Sequence, residues 1–173
     1  MHPGHPAPDE YATFFAGYVE RVPAGEIIAI LSSQLEITTA RLAPLSRTQA
    51  LARPTPADWN VLEVLGHITD GEQIFACRAL RIARGDTTPL PGFEQDDYVN
   101  AASFSELSLE QLLATYTAMR RASIALFSTI HESAWQRRGT VSGYSCSARA
   151  WPYIAAGHEL YHLADFSERY GIA

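Results

Sequence analysis

Apolar residues recur at alternating intervals of three and four positions along four stretches of this chain, which is the spacing of one buried helix face. The first stretch spans residues 23–45 and carries a seven-residue repeat whose one polar member is Thr38. Its apolar members are Ile28, Leu31, Leu35, Leu42 and Leu45. A repeat of this length predicts a long helix that packs against other helices in a bundle.

Capping residues set the limits of the other three predicted helices. The second begins at Asp58 or Asn60, either of which suits an N-cap, and runs to about Arg84. The third follows the N-cap residue Ser108, and the fourth spans about 147–170, with a glycine directly after it. No strand pattern longer than a few residues interrupts these helices, so the sequence predicts an all-α fold.

The connection between the second and third helices, residues 86–107, has no sustained period and contains Pro89, Pro91 and Gly92. About twenty extended residues can cover over roughly 60 Å, whereas a helix of about 25 residues is only about 37 Å long. This connection is therefore long enough to cross the bundle, and the two helices it joins are predicted to run parallel. The expected architecture is a four-helix bundle with one long crossover between helices two and three.

The chain is predicted to divide into two parts. Residues 1–8 are predicted to form a flexible tail, and residues 9–173 a single domain. His2 and His5 in the tail could contact a metal, but a flexible segment of histidine and proline is the preferred interpretation. Across residues 9–22, aromatic side chains at intervals of three and four predict a short amphipathic helix that lies across the bundle.

Charge and composition exclude several classes of function. The formal net charge is -6 and the pI is about 5.4, which argues against a nucleic-acid partner. All thirteen basic side chains are arginine, so Schiff-base chemistry on a lysine is excluded. Cys77 and Cys146 stand far apart and outside any C-x-x-C pattern, which fits the reducing cytoplasm. No apolar run approaches the ~20 residues that span a bilayer, and no signal-peptide pattern is present, so no membrane association is predicted.

Three histidines carry the strongest chemical signal. His158 and His162 are four residues apart in the fourth helix, so both imidazoles lie on one face, one turn apart. His67 lies about seven residues into the second helix, at nearly the height of His162 if these helices are antiparallel neighbours. Three imidazoles facing one buried point predict a divalent-metal site with positions open for water or substrate. The alternative is three hydrogen-bonded core residues, which is the commoner role of a single buried histidine.

Three charged residues near these histidines are further candidates. Asp70 and Asp165 each lie one turn after a histidine, where a carboxylate can accept a hydrogen bond from a ligating imidazole. Solvation of these aspartates, or pairing with arginines, is equally compatible with the sequence. Arg78 lies three turns after His67 on nearly the same face and could bind an anionic substrate. An ion pair of Arg78 with an aspartate of the crossover, at position 96 or 97, is the preferred interpretation.

Glu159 completes a literal His-Glu-Leu-Tyr-His sequence, the H-E-x-x-H pattern of zinc metalloproteases, in which it would be the general base. Two observations argue against a protease. Only eleven residues follow His162, which leaves no room for the second subdomain of a peptide-binding cleft. In addition, a residue directly after a ligand points about 100° away from it on a helix. An inter-helix or surface role is therefore preferred for Glu159 over a role as base.

Several segments resemble the DinB-like superfamily, which comprises damage-inducible, YfiT-like metal-binding bundles. They are Trp59–Ile68, Arg78–Asp86 with Leu90–Asp96, and the closing His158–His162. Asn60 stands where serine or threonine is usual in that family, and asparagine caps a helix equally well. The resemblance extends over nearly the whole chain, from about residue 10 to residue 170.

This resemblance implies a bundle of up-down-down-up topology and frequent homodimers. It implies a divalent metal, often nickel or zinc, held by three histidines that map onto His67, His158 and His162. Activities in similar proteins include the transfer of low-molecular-weight thiols, such as bacillithiol and mycothiol, to electrophiles, and hydrolysis has also been proposed.

Three hypotheses of function follow. The first is a metal-dependent thiol S-transferase of stress or detoxification metabolism, acting in the cytoplasm on a small-molecule substrate with a low-molecular-weight thiol as cosubstrate. The second uses the same three-histidine site for a metal-dependent hydrolase. The third is a non-catalytic metal-binding protein of the stress response, whose site stabilises the bundle or serves a partner.

Overall fold

The four long helices predicted from the apolar repeat are present and form a four-helix bundle. The computed structural model describes residues 3–172, so Met1 and His2 of the predicted tail, together with Ala173, lie outside the described residues. The long helices are α2 (Ile27–Leu42), α4 (Val61–Ala83), α6 (Leu109–Ser128) and α7 (Ala150–Glu168). Three short helices complete the helical part: α1 (Ala16–Val19), α3 (Arg47–Leu51) and α5 (Gln95–Ala102).

Contacts between the long helices establish their directions. In α4 and α6, Asn60 at the start of one contacts Ser105 just before the other, and Glu72 contacts Arg120 further along, so these helices are parallel. Helices α2 and α7 are also parallel, because hydrogen bonds join Gln34 to the Ala156 carbonyl and Thr38 to Glu159. Helices α4 and α7 are antiparallel, because Trp59 just before α4 contacts Tyr170 just after α7, whereas Phe75 further along α4 packs on Trp151 near the start of α7. The predicted up-down-down-up topology with a crossover between α4 and α6 is therefore confirmed.

Side chains at the predicted caps close the helix ends. Asn60 accepts a hydrogen bond from the Glu63 amide at 3.0 Å, and Glu63 accepts one from the Asn60 amide at 2.8 Å, which forms a capping box. Ser108 and Gln111 form the same arrangement at the start of α6. Gly85, which follows the C-cap residue Arg84 of α4, has a φ of +81°, a left-handed conformation that glycine adopts without strain. These caps fix where the helices that carry the site begin and end.

The crossover segment contains more regular structure than its sequence predicts. Helix α5 lies within it, followed by a 3-10 turn at Phe104–Glu106. Helix α5 was not predicted because Val99 is its one buried residue, and a single buried residue forms no apolar repeat. The Phe104 ring packs so closely on α4 that a Cβ added at Gly66 would lie 2.5 Å from it. The crossover therefore packs tightly against the N-terminal half of α4.

A short hairpin lies between α6 and α7, where the sequence predicts no strand longer than a few residues. Strands β1 (Arg138–Val141) and β2 (Tyr144–Ser147) pair antiparallel. Ser142 and Gly143 join them with φ values of 51° and 84°, as a two-residue hairpin turn with left-handed residues requires. Leu90 of the crossover hydrogen-bonds to both sides of Val141, so the hairpin and the crossover lie against each other.

The N-terminal region covers one side of α7. Instead of one amphipathic helix, residues 8–22 form two 3-10 turns and the single-turn α1. Helix α1 approaches α7 so closely that a Cβ at Gly157 would lie 1.9 Å from the Tyr18 carbonyl oxygen. Before it, the Pro3 carbonyl accepts a hydrogen bond from the Tyr153 hydroxyl at 3.1 Å. Flexibility of residues 1–8 stays a prediction.

The apolar core is divided into two clusters by a polar layer. One cluster joins α1 and the start of α2 to the C-terminal half of α4 and the N-terminal half of α7. The other joins the end of α2 to the N-terminal halves of α4 and α6 and the end of α7. Buried polar side chains lie between them; they are Gln34, Thr38, His67, Glu72, Arg120, His158, Glu159 and His162. None of the helices within residues 3–172 is both long and apolar enough to cross a lipid bilayer.

Candidate metal centre

The three predicted histidines meet in the polar layer. His67 comes from α4, and His158 and His162 come from successive turns of α7. The Nε2 atom of His158 lies 2.9 Å from the Nε2 of His67 and 3.2 Å from the Nε2 of His162. One ligand atom from each residue lies within 4.8 Å of the other two, and all three side chains are buried. Within the described residues, this is the group of three that could hold a metal ion.

The donor set and its spacing suit a divalent cation. Nitrogen atoms about 2.0–2.1 Å from a shared tetrahedral metal lie about 3.3 Å from one another, close to the two separations observed. Without a cation, three Nε2 atoms facing one another are poorly matched, because a neutral imidazole has one N–H and one acceptor nitrogen. Imidazole is also a common ligand of zinc and nickel.

Burial keeps these imidazoles neutral. It lowers the pKa of His67 to about 4 and that of His162 to about 3, from an ordinary value of 6.5. Burial, followed by the proximity of the other two rings, lowers the pKa of His158 well below the usual range. Near neutral pH all three rings are therefore unprotonated, which is the form that binds a metal.

Aromatic rings surround the histidines and hold them in place. The Trp59 ring lies 5.0 Å from the His67 ring between centroids. Tyr18 and Phe75 meet the His158 ring edge to face, at 5.3 Å and 5.5 Å. Tyr18 belongs to α1, so the close packing of α1 on α7 places the Tyr18 ring against His158. These aromatic neighbours were not predicted from the sequence, although Phe75 lies two turns after His67 on the same apolar stripe.

The two predicted carboxylate partners lie near the histidines without bonding to them. Asp70 is half-buried, and burial raises the pKa of its carboxyl. Asp165 lines a surface cavity together with His162 and lies 3.9 Å from Arg169. Within residues 3–172, no direct hydrogen bond joins either carboxylate to a histidine ring. Their role as partners of ligating imidazoles stays a prediction.

Glu159 faces away from the histidines, into the space between α2 and α6. Its carboxylate accepts hydrogen bonds from Thr38, from the Tyr116 hydroxyl at 2.5 Å and from Arg120 at 2.5 Å. It is fully buried and its oxygens are bonded to these three groups. This is the inter-helix role preferred from the sequence, and it leaves no carboxylate oxygen free to act as the base of a zinc protease.

Arg120 is the centre of that second polar cluster. Its guanidinium lies 2.9 Å from Glu72 and 2.5 Å from Glu159, and it donates to the Gln34 side chain at 3.2 Å. Burial opposes its charge, but Glu72 and Glu159 outweigh that cost and raise the pKa of Arg120. This cluster was not predicted from the sequence. The signal was present in the spacing of Tyr116, Arg120 and Ser123, which places the arginine on the buried face of α6.

A cavity of about 570 Å³ adjoins the histidines and reaches Arg78. His67 and His158 line one part of it, and Phe14, Phe15, Tyr18, Phe75 and Phe93 form apolar walls. Glu94, Asp96 and Ser142 also line it, contributed by the crossover and the hairpin turn. Arg78 donates to the Pro91 carbonyl at 2.8 Å rather than forming the ion pair with Asp96 or Asp97 that was preferred from the sequence. A small ligand therefore has a route to the imidazoles.

Known proteins that resemble this chain include one family and, among solved structures, the two that follow. A sequence model of the DinB superfamily matches residues 30–166. YfiT from Bacillus subtilis, described as a probable metal-dependent hydrolase with an unusual four-helix bundle topology, is 15% identical with a TM-score of 0.69. That match covers 88% of this chain and 93% of YfiT. No curated protein sequence matches the chain.

The second related structure is the mycothiol-dependent maleylpyruvate isomerase, which is 12% identical with a TM-score of 0.69. The match covers 87% of this chain and 66% of the isomerase, so this chain spans a little under two thirds of that protein. At these identities, the two similarities establish a shared fold, and the chemistry has to be argued from the residues of this chain.

Proposed function

The chain belongs to the DinB superfamily, and from that premise we propose that it is a divalent-metal-dependent enzyme that joins a low-molecular-weight thiol to a small electrophile. In this proposal His67, His158 and His162 hold the metal through Nε2, with nickel or zinc as the expected ion. The observation that supports it most directly is the convergence of three buried, neutral imidazoles beside a cavity. A structural core would instead have paired each ring with a hydrogen-bonding partner of its own.

A divalent cation bound there would supply Lewis-acid chemistry, which lowers the pKa of a thiol or a water. The residues of the chain would hold the metal and form the cavity in which the substrate binds. Three protein ligands leave coordination positions for an exchangeable group. The apolar walls formed by Phe14, Phe15 and Phe75 beside His158 favour an apolar electrophile.

The test is a spectroscopic titration of cobalt(II)-loaded protein with mycothiol, bacillithiol and glutathione. Direct binding of a thiol sulfur is expected to produce sulfur-to-cobalt charge-transfer absorption that saturates at one thiol per protein. A His158→Ala variant should give no such band. Turnover is then measured with 1-chloro-2,4-dinitrobenzene as electrophile. A cobalt spectrum that no thiol perturbs would contradict the transferase proposal.

A metal-dependent hydrolase is the second candidate, because the same cavity can hold an ester or amide and the YfiT fold is shared. It predicts metal-dependent cleavage of p-nitrophenyl esters without any thiol. If the metal binds and stabilises the protein but neither reaction occurs, the non-catalytic metal-binding hypothesis is favoured.

We also propose that the protein acts in the cytoplasm, in a stress or detoxification response, as a homodimer. The two free cysteines are compatible with a reducing compartment.

A further inference from the structure

Arg78 is a buried cation without a counter-ion among the described residues. Only 5% of its surface is exposed, and within residues 3–172 its one hydrogen bond goes to the Pro91 carbonyl oxygen at 2.8 Å. Glu94 and Asp96 line the same cavity, yet neither forms an ion pair with it in the described part of the chain. A buried charge with no opposite partner is costly, so it is kept where a ligand supplies the missing charge.

Aromatic faces hold the Arg78 guanidinium. Its central carbon lies 5.1 Å from the Trp151 ring and 5.8 Å from the Phe93 ring. Arginine has five N–H donors in a rigid plane, and the Pro91 carbonyl uses one of the two terminal nitrogens. The remaining donors form a fork that matches the two oxygens of a carboxylate. Burial lowers the pKa of Arg78, in agreement with a cation removed from water.

The cavity connects this guanidinium to the three-histidine cluster. Phe75 lies between them: its ring packs on Trp151 at 5.8 Å and on His158 at 5.5 Å. On α4, Arg78 is eleven residues after His67, about 16 Å along the helix axis. Its guanidinium lies over Trp151, which packs on Phe75 one turn earlier in α4, and this contact shortens the distance that a ligand has to cover.

We propose that the cavity binds a small organic carboxylate with an aromatic or other apolar body. The carboxylate contacts Arg78, and the body lies along the aromatic walls with its far end at the three histidines. Glu94 and Asp96 line the same space as the single cation Arg78, so a ligand with one negative charge is favoured over a dianion. This inference deepens the proposed function and rests on it for the reaction, whereas the carboxylate contact is measurable on metal-free protein.

The experiment compares 3-phenylpropanoate with its neutral analogue 3-phenylpropanamide, by isothermal titration calorimetry on the full chain. Both are titrated into metal-free and zinc-loaded wild type, and into Arg78→Met, Arg78→Lys and Arg84→Met. Arg84 ends the same helix, is exposed and lies outside the cavity lining, so its substitution controls for the loss of one positive charge.

Wild type is expected to bind the carboxylate at least tenfold more tightly than the amide, with or without metal. Arg78→Met should remove that preference, Arg78→Lys should keep part of it, and Arg84→Met should leave it unchanged. Equal binding of carboxylate and amide by wild type would overturn the inference. So would a carboxylate preference that survives Arg78→Met but vanishes when metal is removed, because the contact would then be at the metal.

Two controls keep the outcome interpretable. If Arg78→Met does not fold by circular dichroism, the wild-type comparison of acid with amide and the Arg78→Lys variant decide the question. Failure of the proposed function is also distinguishable. A protein that binds no metal but prefers the carboxylate through Arg78 would refute the metal proposal and support the carboxylate site. A protein that binds metal but does not prefer the carboxylate would support the metal proposal and refute the carboxylate site.

Discussion

Two polar clusters lie side by side in the buried layer of this bundle, and they differ in how well their groups are matched. The cluster around Arg120 joins a cation to Glu72 and Glu159, so donors face acceptors. The three-histidine cluster brings together groups of the same kind, whose Nε2 atoms face one another. Neighbours on α7, His158 and Glu159, belong to opposite clusters because successive helix residues point about 100° apart.

The difference separates a structural role from a functional one. Opposite charges in contact offset much of the cost of burying one another and fix how the helices pack, although Glu72 Oε1 and Arg120 Nε have no hydrogen-bond partner within the described residues. Groups that are buried, neutral and poorly matched are suited to an added cation. The first cluster is therefore expected to carry stability, and the second to carry metal binding. Substitutions that separate those two properties test the comparison.

The largest effect on stability is expected from Arg120→Met. It leaves Glu72 and Glu159 buried without their cation, which costs about 3–5 kcal/mol of unfolding free energy. Urea denaturation followed by circular dichroism measures the loss. Arg121→Met is the matched control, since Arg121 is exposed, and should change stability by less than about 0.5 kcal/mol. A loss below about 1 kcal/mol in Arg120→Met would show that the cluster does not carry stability.

Metal-dependent stabilisation should follow the histidine cluster instead. At a free zinc concentration about 100 times the dissociation constant, wild type should gain about 2.7 kcal/mol of stability. His158→Ala should gain nothing at the same zinc concentration, because one of three ligands is gone. Thermal unfolding with and without zinc measures both. Equal stabilisation of the two proteins would assign the zinc effect to some other site.

Gly157→Ala should weaken both the fold and the site, by a smaller amount. The added Cβ would lie 1.9 Å from the Tyr18 carbonyl oxygen, so α1 has to move away from α7. Overpacking of this kind costs about 1–3 kcal/mol. Zinc affinity should also fall, because Tyr18 packs on His158. Urea denaturation and zinc titration measure the two effects.

Gly17→Ala is the matched control for that substitution. A Cβ there meets nothing within 4 Å, and alanine favours the helical conformation of α1. Unchanged or slightly increased stability is expected, with normal zinc affinity. If both alanine variants behave alike, the close approach of Tyr18 to Gly157 does not position the site.

The smallest effect concerns an ion pair outside both clusters and appears only in acid. The side-chain hydrogen bonds of Arg149 hold the pKa of Glu10 at about 2, below its ordinary value of 4.5. Because the folded pKa is depressed, this contribution to stability is present above pH 4.5 and is lost as the pH falls towards 2. Glu10→Gln should therefore show a smaller loss of stability over that interval. Urea midpoints at several pH values measure the loss of stability, with Asp9→Asn, at an exposed position, as the control. If the stability of wild type and of Glu10→Gln falls in parallel with pH, the prediction is contradicted.

The long helices and the histidine cluster could be predicted because both depend on local spacing. An apolar repeat marks a buried face wherever it occurs, and the separation of His158 from His162 is one helical turn. Asn60 and Ser108 gave the helix starts because the cap contact is local too. The height of His67 followed from counting residues along two antiparallel helices.

The rest depends on contacts between distant segments, which single-chain spacing does not reveal. Arg120 lies on the buried face of α6, but its partners Glu72 and Glu159 come from other helices. The position of Tyr18 against His158 depends on how α1 settles on Gly157. Helix α5 is held by the bundle around it rather than by an apolar repeat of its own. For the same reason, the isolation of Arg78 from Asp96 was visible only in the folded chain.

The central claim is that His67, His158 and His162 bind one divalent metal ion, and the most direct test is its stoichiometry. Inductively coupled plasma mass spectrometry on untagged protein should find close to one nickel or zinc per chain in wild type. His158→Ala, purified beside it and confirmed to be folded, should retain almost none. Metal far below one per chain in both proteins, even after reconstitution with either ion, would contradict the claim. The three histidines would then be interpreted as hydrogen-bonded core residues.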